Sequence, residues 1–259
     1  MATSLENDSL LYASGFRLIG TNVESLIGPS ISDSVFQKKV EAVRKLKTRL
    51  IMCNVLFPGS IKIAGPEVSE TRVLEYLENV LKRAQIIGLP NLILGSGGAR
   101  RLPDGYDKEK AKTEFSLLAR KMAVLAKQYG VTIILENLNS GETNFLNTLR
   151  DAADVVRKVD HPNFRLNADI YHMMRENESP DEIVKAGKIL VYCEIAEKAE
   201  RTLPGVTGED FKPYLTALKS IRFSGPVIIE GRSTDLSKDL PLAFRYLSSQ
   251  WQNAGKKDR

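Results

Sequence analysis

The feature that most constrains this chain is an alternation. Seven short β-branched runs recur along its 259 residues, each followed by a stretch with helical spacing. The runs are Arg17 to Gly20, Leu50 to Asn54, Asn91 to Leu94, Val131 to Leu135, Phe164 to Ala168, Ile189 to Cys193 and Val227 to Ile229. Most are continuously apolar, which marks strands covered on both faces and predicts a parallel sheet wrapped in helices. In the clearest helical stretch Ala111, Phe115, Leu118, Met122, Leu125 and Ala126 advance by three or four residues, and the pattern stops at Gly130. A second helix is bounded by Ser179 as N-cap, Pro180 at the first helical position, Glu182 completing a capping box, and Gly187 after the last turn. A closed barrel needs an eighth strand, and the N-terminal "MATS" is the candidate. Its shortness predicts either a stubby strand or a chain trimmed at its N-terminus. One (β/α)8 TIM barrel commonly takes about 250 residues. No linker, low-complexity tract or sequence repeat divides the chain, so residues 1–259 are expected to form a single α/β domain with a polar tail, "NAGKKDR".

The ends of the strands carry the chemistry. "VTIILEN" ends on Glu136, "FRLNAD" on Asp169, "LVYCE" on Glu194 and "GPVIIEG" on Glu230. In a parallel barrel all strand C-termini open onto one face, where active sites are built. Four carboxylates converging there cannot all stay ionised in a partly buried site without a cation or partial protonation. A bound divalent ion answers this economically, and an oxygen-rich donor set favours magnesium or manganese over a thiolate-selected zinc site. The alternative pairs each acid with an arginine such as Arg100, Arg101, Arg201 or Arg232. In "LGSGGARR", Gly95, Gly97 and Gly98 allow backbone amides to approach a ligand, and Arg100 or Arg101 could attract an anion. The same segment also reads as a tight turn with exposed arginines.

Composition narrows the classes. The charge is +5 and the pI near 9.1, compatible with an anionic substrate, but the basic residues are scattered among acids and form no nucleic-acid-binding stripe. No apolar run approaches the roughly 18 to 20 residues that cross a bilayer. No secretory leader is visible. A cytoplasmic protein is therefore expected, with periplasmic placement open if the N-terminus is trimmed. Cys53 and Cys193 lie inside apolar runs and read as small hydrophobes, giving neither a disulfide framework nor a cysteine zinc site. His161 and His172 are the only histidines, which limits the available metal chemistry.

The segments "GSGGARRLPDG", "ILENLNSGETNFLNT", "NADIYHMM", "ERTLPG" and "GPVIIEG" carry a family resemblance. Nearly the whole chain, from "TSLEN" to the helix near Leu247, resembles the xylose isomerase-like barrels. This sugar (phosphate) isomerase/epimerase group includes ketose 3-epimerases, hydroxypyruvate isomerases, inosose dehydratases and, more distantly, endonuclease IV. The resemblance implies metal ligands Glu, Asp, His and Glu at the four strand ends. Glu136, Asp169 and Glu230 match, whereas Glu194 stands where the pattern "HxHIAE" would put the histidine, keeping an oxygen donor but adding negative charge. It further implies that Arg201 is the substrate-side arginine, although "EKAER" carries one extra residue, that His172 lies near the substrate, and that Glu142 either binds the substrate or supports a residue that does. Read from the residues alone, His172 beside Tyr171 and Met173 also fits a structural role, and Glu142 a solvated loop acid.

The implied function is a divalent-metal-dependent isomerase or epimerase of a keto-sugar, sugar phosphate or related polyhydroxy carbonyl compound. Manganese or magnesium is expected, with zinc or cobalt open. Glu136 and Glu230 would exchange a proton through an enediolate, while His172, Arg201, Glu142 and Arg100 would bind substrate. A small-molecule substrate is the expected partner, with a homo-oligomer possible. An inosose dehydratase-like lyase shares the first proton abstraction and stays open, as does a sugar-binding barrel with a degenerate metal site. Endonuclease IV-like hydrolysis needs a zinc cluster with several histidines, and two are too few.

Overall fold

The seven apolar runs form seven parallel strands: β1 (Leu18–Asn22), β2 (Arg49–Asn54), β3 (Asn91–Leu94), β4 (Thr132–Glu136), β5 (Phe164–Asp169), β6 (Leu190–Ile195) and β7 (Val227–Ile229). They pair in chain order with helices between them, in a computed structural model that describes residues 1–256. The gap between β7 and β1 is spanned by the expected N-terminal stub. Ala2 N–H donates to the Ile229 carbonyl at 2.9 Å, while Gly20 N–H donates to Met1 and Thr3 N–H to Gly20 at 2.9 and 2.8 Å. One isolated parallel bridge, Ala2 to Gly20, is all the ladder this stub makes.

Several strands run further toward their C-termini than their apolar runs suggest. Glu136, Asp169 and Glu194 lie inside the ladders, with Glu136 opposite Asn167 and Asp169 opposite Glu194. The backbone keeps pairing where the side chains turn polar because those side chains face the barrel mouth. β1 likewise continues to Asn22.

Inside the barrel Ile51, Met52, Ile93, Ile134, Tyr192 and Ile228 form a buried cluster. The larger core lies between the strands and the helices. The helix Lys108–Gln128 contributes Ala111, Phe115, Leu118, Met122 and Ala126, all buried, and the chain turns at Gly130 with φ +70°. Burying a side chain such as Phe115 stabilises the fold by about 1.5–3 kcal/mol.

The helix signalled by Ser179 begins one residue later than expected, running Asp181–Ala186 with Pro180 as N-cap and Gly187 as C-cap. Ser179 Oγ does accept from Asp181 N–H at 3.2 Å. The reciprocal arm of the capping box is replaced, because the Glu182 carboxylate meets Lys185 at 2.7 Å and Arg150 at 3.6 Å. Charged partners outcompete a neutral amide for an ionised acceptor. Both cysteines are free and buried. No described helix is long and apolar enough to cross a membrane. The tail read as polar begins as the end of the helix Leu236–Asn253, and Ala254 is buried; residues 257–259 lie outside the described part.

Candidate active site

The strand registers bring the four acids together. Glu136 ends β4, Asp169 ends β5, Glu194 lies opposite Asp169 near the end of β6, and Glu230 follows β7 directly. Each offers a carboxylate oxygen within 4.8 Å of the others. Glu136, Asp169 and Glu194 are buried, whereas the Glu230 side chain keeps 21% of its surface exposed.

Burial, followed by repulsion from neighbouring acids, pushes the Glu136 and Glu194 carboxyls well above the ordinary carboxylate range. Asp169 and Glu230 are also raised by burial, although Arg201 opposes the shift in both. Glu194 accepts a hydrogen bond from Asn167 Nδ2 through Oε2, while its buried Oε1 has no partner. Among the described residues, no arginine bonds the Glu136 or Glu194 carboxylate. These convergent oxygens, short of donors and charge compensation, fit a hard divalent cation held by Glu136, Asp169, Glu194 and Glu230.

Asp169 also caps the helix Ile170–Arg175, its Oδ1 accepting from His172 N–H at 3.0 Å, which brings the His172 ring to the same site. His172 Nδ1 accepts from Asn139 backbone N–H at 3.1 Å and from Asn139 Nδ2 at 2.7 Å. That leaves Nε2 to carry the ring proton. Nε2 lies 3.6 Å from Glu136 Oε1 and 3.7 Å from Asp169 Oδ2. Burial and then the positive charge of Arg201 push the ring's pKa down to about 3, so the imidazole is neutral. Glu136, Asp169 and His172 also form an alternative three-residue donor group.

Arg201 reaches the acids from the loop after β6. Its Nη2 donates to Glu230 Oε2, its Nε to the Glu230 carbonyl at 3.1 Å, and its Nη1 to Glu142 Oε1 at 3.1 Å. The guanidinium stacks over Tyr171, 4.7 Å from the ring centre. Burial disfavours its charge, but Glu230, Asp169 and Glu136 outweigh this and hold the guanidinium protonated. Glu142 therefore sits at the rim of the site through Arg201.

Arg100 is placed differently from the anion contact the glycine loop suggests. It is fully buried, and its Nη1 donates to the Glu136 backbone carbonyl at 2.8 Å. The short helix Gly97–Arg100 turns it inward beneath β4, where it supports a backbone and has no exposed surface for a ligand. Burial lowers its pKa to about 10, with Glu136 opposing. Arg101 is the exposed member of the pair and donates to the Glu142 carbonyl at 2.8 Å.

Several residues at the site escaped the reading of strand-end acids. Asn54, the last residue of β2, donates to Glu230 Oε1, and Asn167 donates to Glu194. Extending the strand-end rule from acids to amides would have found Asn54. Gly95 leaves room that a Cβ would deny, because that atom would collide with Glu136 Oε2. Beside Glu230 opens a cavity of about 610 Å³ whose wall mixes the hydrogen-bonding side chains of Thr3, Ser4, Asn22, Ser25 and Asn54 with apolar Leu5 and Leu26.

The sequence pattern described as xylose isomerase-like TIM barrel matches residues 10–249. The chain is 34% identical to the L-ribulose 3-epimerase of Methylomonas sp. (strain DH-1) over 118 residues, 45% of this chain and 41% of the relative. It is 29% identical to a putative hydroxypyruvate isomerase of Mus musculus over 191 residues, 70% of this chain and 66% of that protein. The aligned part thus spans less than half of the epimerase. A solved structure of L-ribulose 3-epimerase superposes with a TM-score of 0.83 at 19% identity, covering 96% of this chain and 89% of the other, which establishes a shared fold.

Proposed function

The chain belongs to the xylose isomerase-like TIM barrel family, and from that premise we propose that it is a divalent-metal-dependent isomerase or epimerase of a small polyhydroxy carbonyl compound, a keto-sugar or its phosphate. The observation that carries this reading is the convergence of Glu136, Asp169, Glu194 and Glu230, whose oxygens lie within 4.8 Å of one another with too few donors to compensate them. Manganese or magnesium suits the oxygen-only set. When bound, the ion supplies Lewis-acid polarisation of a carbonyl and positive charge that offsets charge developing on substrate oxygen.

The proton is handled by the protein. Glu136 and Glu230 approach one point from separate strands. One, as carboxylate, takes the proton from the carbon beside the carbonyl. The other, protonated, returns a proton to the opposite face of that carbon in epimerisation, or to the neighbouring carbon in isomerisation. Burial raises both carboxyls, and repulsion from Glu230 adds to the shift at Glu136, which favours a proton on one of them while the other is charged. His172 Nε2–H and the Arg201 guanidinium donate to substrate oxygens, and Asn54 orients Glu230.

The test uses purified protein analysed for metal, then supplied with manganese or magnesium in D2O and a panel of ketoses, ketose phosphates and inososes. Deuterium entering at the carbon beside the carbonyl, with an epimer or isomer appearing, is the expected result. A dehydrated product would assign lyase chemistry. No exchange with any substrate and either metal would overturn the reading.

A further inference from the structure

Between β6 and the helix Lys212–Ser220 runs the loop that carries Arg201. Glu197 is fully buried within it. Its carboxylate accepts hydrogen bonds from much of the loop. Oε1 accepts from the N–H groups of Gly205, Gly208 and Glu209 at 2.7, 2.9 and 3.2 Å. Oε2 accepts from Thr202 Oγ1 at 2.8 Å, Thr207 N–H at 2.6 Å and Thr207 Oγ1 at 2.7 Å. The backbone N–H of Glu197 donates to the Thr202 carbonyl at 3.0 Å. Burial opposes ionisation, but the hydrogen bonds from Thr207, Thr202 and Gly205 outweigh it and hold the carboxyl below its ordinary range.

The loop needs such a hold. Glu200 and Arg201 are consecutive non-glycine residues in the left-handed region, with φ +55° and +56°. Side chains resist this conformation, and it persists only where the surroundings over-determine it. Thr202, next in sequence, is bonded to Glu197 through both its hydroxyl and its carbonyl. Arg201's own carbonyl accepts from Arg232 N–H at 2.7 Å. With the backbone pinned at both points, the guanidinium arrives at Glu230 and Glu142.

We infer that Glu197 is a positioning residue, a buried anionic template that shapes residues 197–209 so that Arg201 is presented to the strand-end carboxylates. The inference rests on Arg201 acting at that site. Glutamine is close in shape but replaces one acceptor oxygen with an NH2 group facing loop N–H donors, so Glu197→Gln breaks the template with little change in volume.

The experiment compares wild type, Glu197→Gln, Glu197→Asp, Arg201→Gln and the Glu197→Gln/Arg201→Gln double variant as full-length proteins. In Glu197→Gln the amides of Gly205, Thr207, Gly208 and Glu209 should exchange about 10- to 100-fold faster, the size expected for lost bonds to a charged acceptor, while β4 amides stay unchanged. The 15N-detected Arg201 Nε–H signal should move to the position of a free guanidinium. Manganese affinity should rise in Arg201→Gln, because a cation leaves the carboxylates, and rise in Glu197→Gln by the same route. The double variant should then match Arg201→Gln alone, a non-additivity that a general loss of structure would not give. Glu197→Asp, which keeps the charge on a shorter arm, should restore part of the protection. Should Glu197→Gln fail to fold, Thr207→Val removes one bond to the same carboxylate and should shift every readout the same way by less. Unchanged loop protection, or lost protection with the Arg201 Nε–H signal and manganese affinity left at wild-type values, would overturn the inference. A wild type that binds no manganese would overturn the metal reading alone, and the Arg201 Nε–H signal would then decide the role of Glu197.

Discussion

Two groups of buried carboxylates in this barrel meet opposite fates. Glu197 and Asp8 are taken out of water and surrounded by donors. Asp8 accepts from Lys47 N–H at 2.8 Å, Thr48 N–H at 2.8 Å and Thr48 Oγ1 at 2.6 Å. At the strand ends Glu136, Asp169 and Glu194 are also withdrawn from solvent but receive few donors, and Glu194 Oε1 receives none. Burial pushes the carboxyl upward in both groups. The outcome differs because hydrogen bonds overcome it at Glu197 and Asp8, whose pKa values fall, and do not at Glu136 and Glu194, whose values rise. Glu197 and Asp8, satisfied by neighbouring donors, belong to the framework; the strand-end acids, left short of them, are prepared for a proton or a cation.

The contrast breaks most severely at Glu230. Glu230→Gln should lower turnover by about 100-fold or more, the usual contribution of a positioned acid or base. Stability in the presence of a chelator should change far less, since a charge leaves a mutually repelling cluster while the bonds from Asn54 and Arg201 weaken. Initial rates and chemical melts on the same preparations check both. Retention of more than about a tenth of the wild-type rate would remove Glu230 from the proton transfer.

Acidity sharpens the comparison next. In chelated protein the strand-end acids have raised folded pKa values, so the folded state binds more protons than the unfolded chain above the ordinary carboxylate value of about 4. Stability from this cluster therefore falls as pH rises through that window toward the raised values. Manganese, which binds the ionised acids, should reverse the slope. Urea melts between about pH 5 and pH 8, with chelator and with manganese, should show stability lines of opposite tilt, and parallel lines would count against the four-carboxylate cation site.

What the sequence made legible follows from the same physics. Strands buried on both faces are continuously apolar, so the seven runs stood out; their polar last residues did not, because a side chain facing the barrel mouth breaks the apolar pattern without breaking the ladder. Acids ending four successive runs are visible as a set, and their oxygens lie within 4.8 Å of one another. Asn54 and Asn167 do not stand out in the sequence because an amide on a strand carries no charge. Arg100, expected to meet substrate, is buried with its Nη1 on the Glu136 carbonyl, a rotation of its short helix that two adjacent arginines do not reveal. Glu197, the first residue of "EKAER", carries no mark of its role in the sequence. Its donors converge through a left-handed turn at Glu200 and Arg201, which no propensity of those residues announces.

A smaller effect is expected at Glu194. Glu194→His exchanges an oxygen donor for imidazole and removes a negative charge, so the affinity ratio should move toward zinc or cobalt and away from magnesium. Asn167 would lose its acceptor at the same time. Competition between manganese and zinc in both proteins reads the shift. An unchanged ratio would mean that Glu194 is not a ligand.

The mildest test lies on the other side of the comparison. Asp8→Asn keeps one acceptor oxygen and puts its NH2 group against the amide of either Lys47 or Thr48, which bond to different oxygens of Asp8. The loss should be about 1–3 kcal/mol of stability, the range for a bond to a charged group together with a donor left unmatched. Because the folded pKa of Asp8 is lowered, its contribution is fully present above the unfolded value of about 3.9 and disappears as pH falls through the folded value. The wild type and variant should therefore differ in urea melts near neutrality and converge in strong acid. Manganese affinity should be the same in both, since Asp8 is held beside Thr48 at the start of β2, the end of that strand opposite Asn54. A change in metal affinity would show that burial-compensated acids and strand-end acids are coupled, and the division between framework and site would no longer hold.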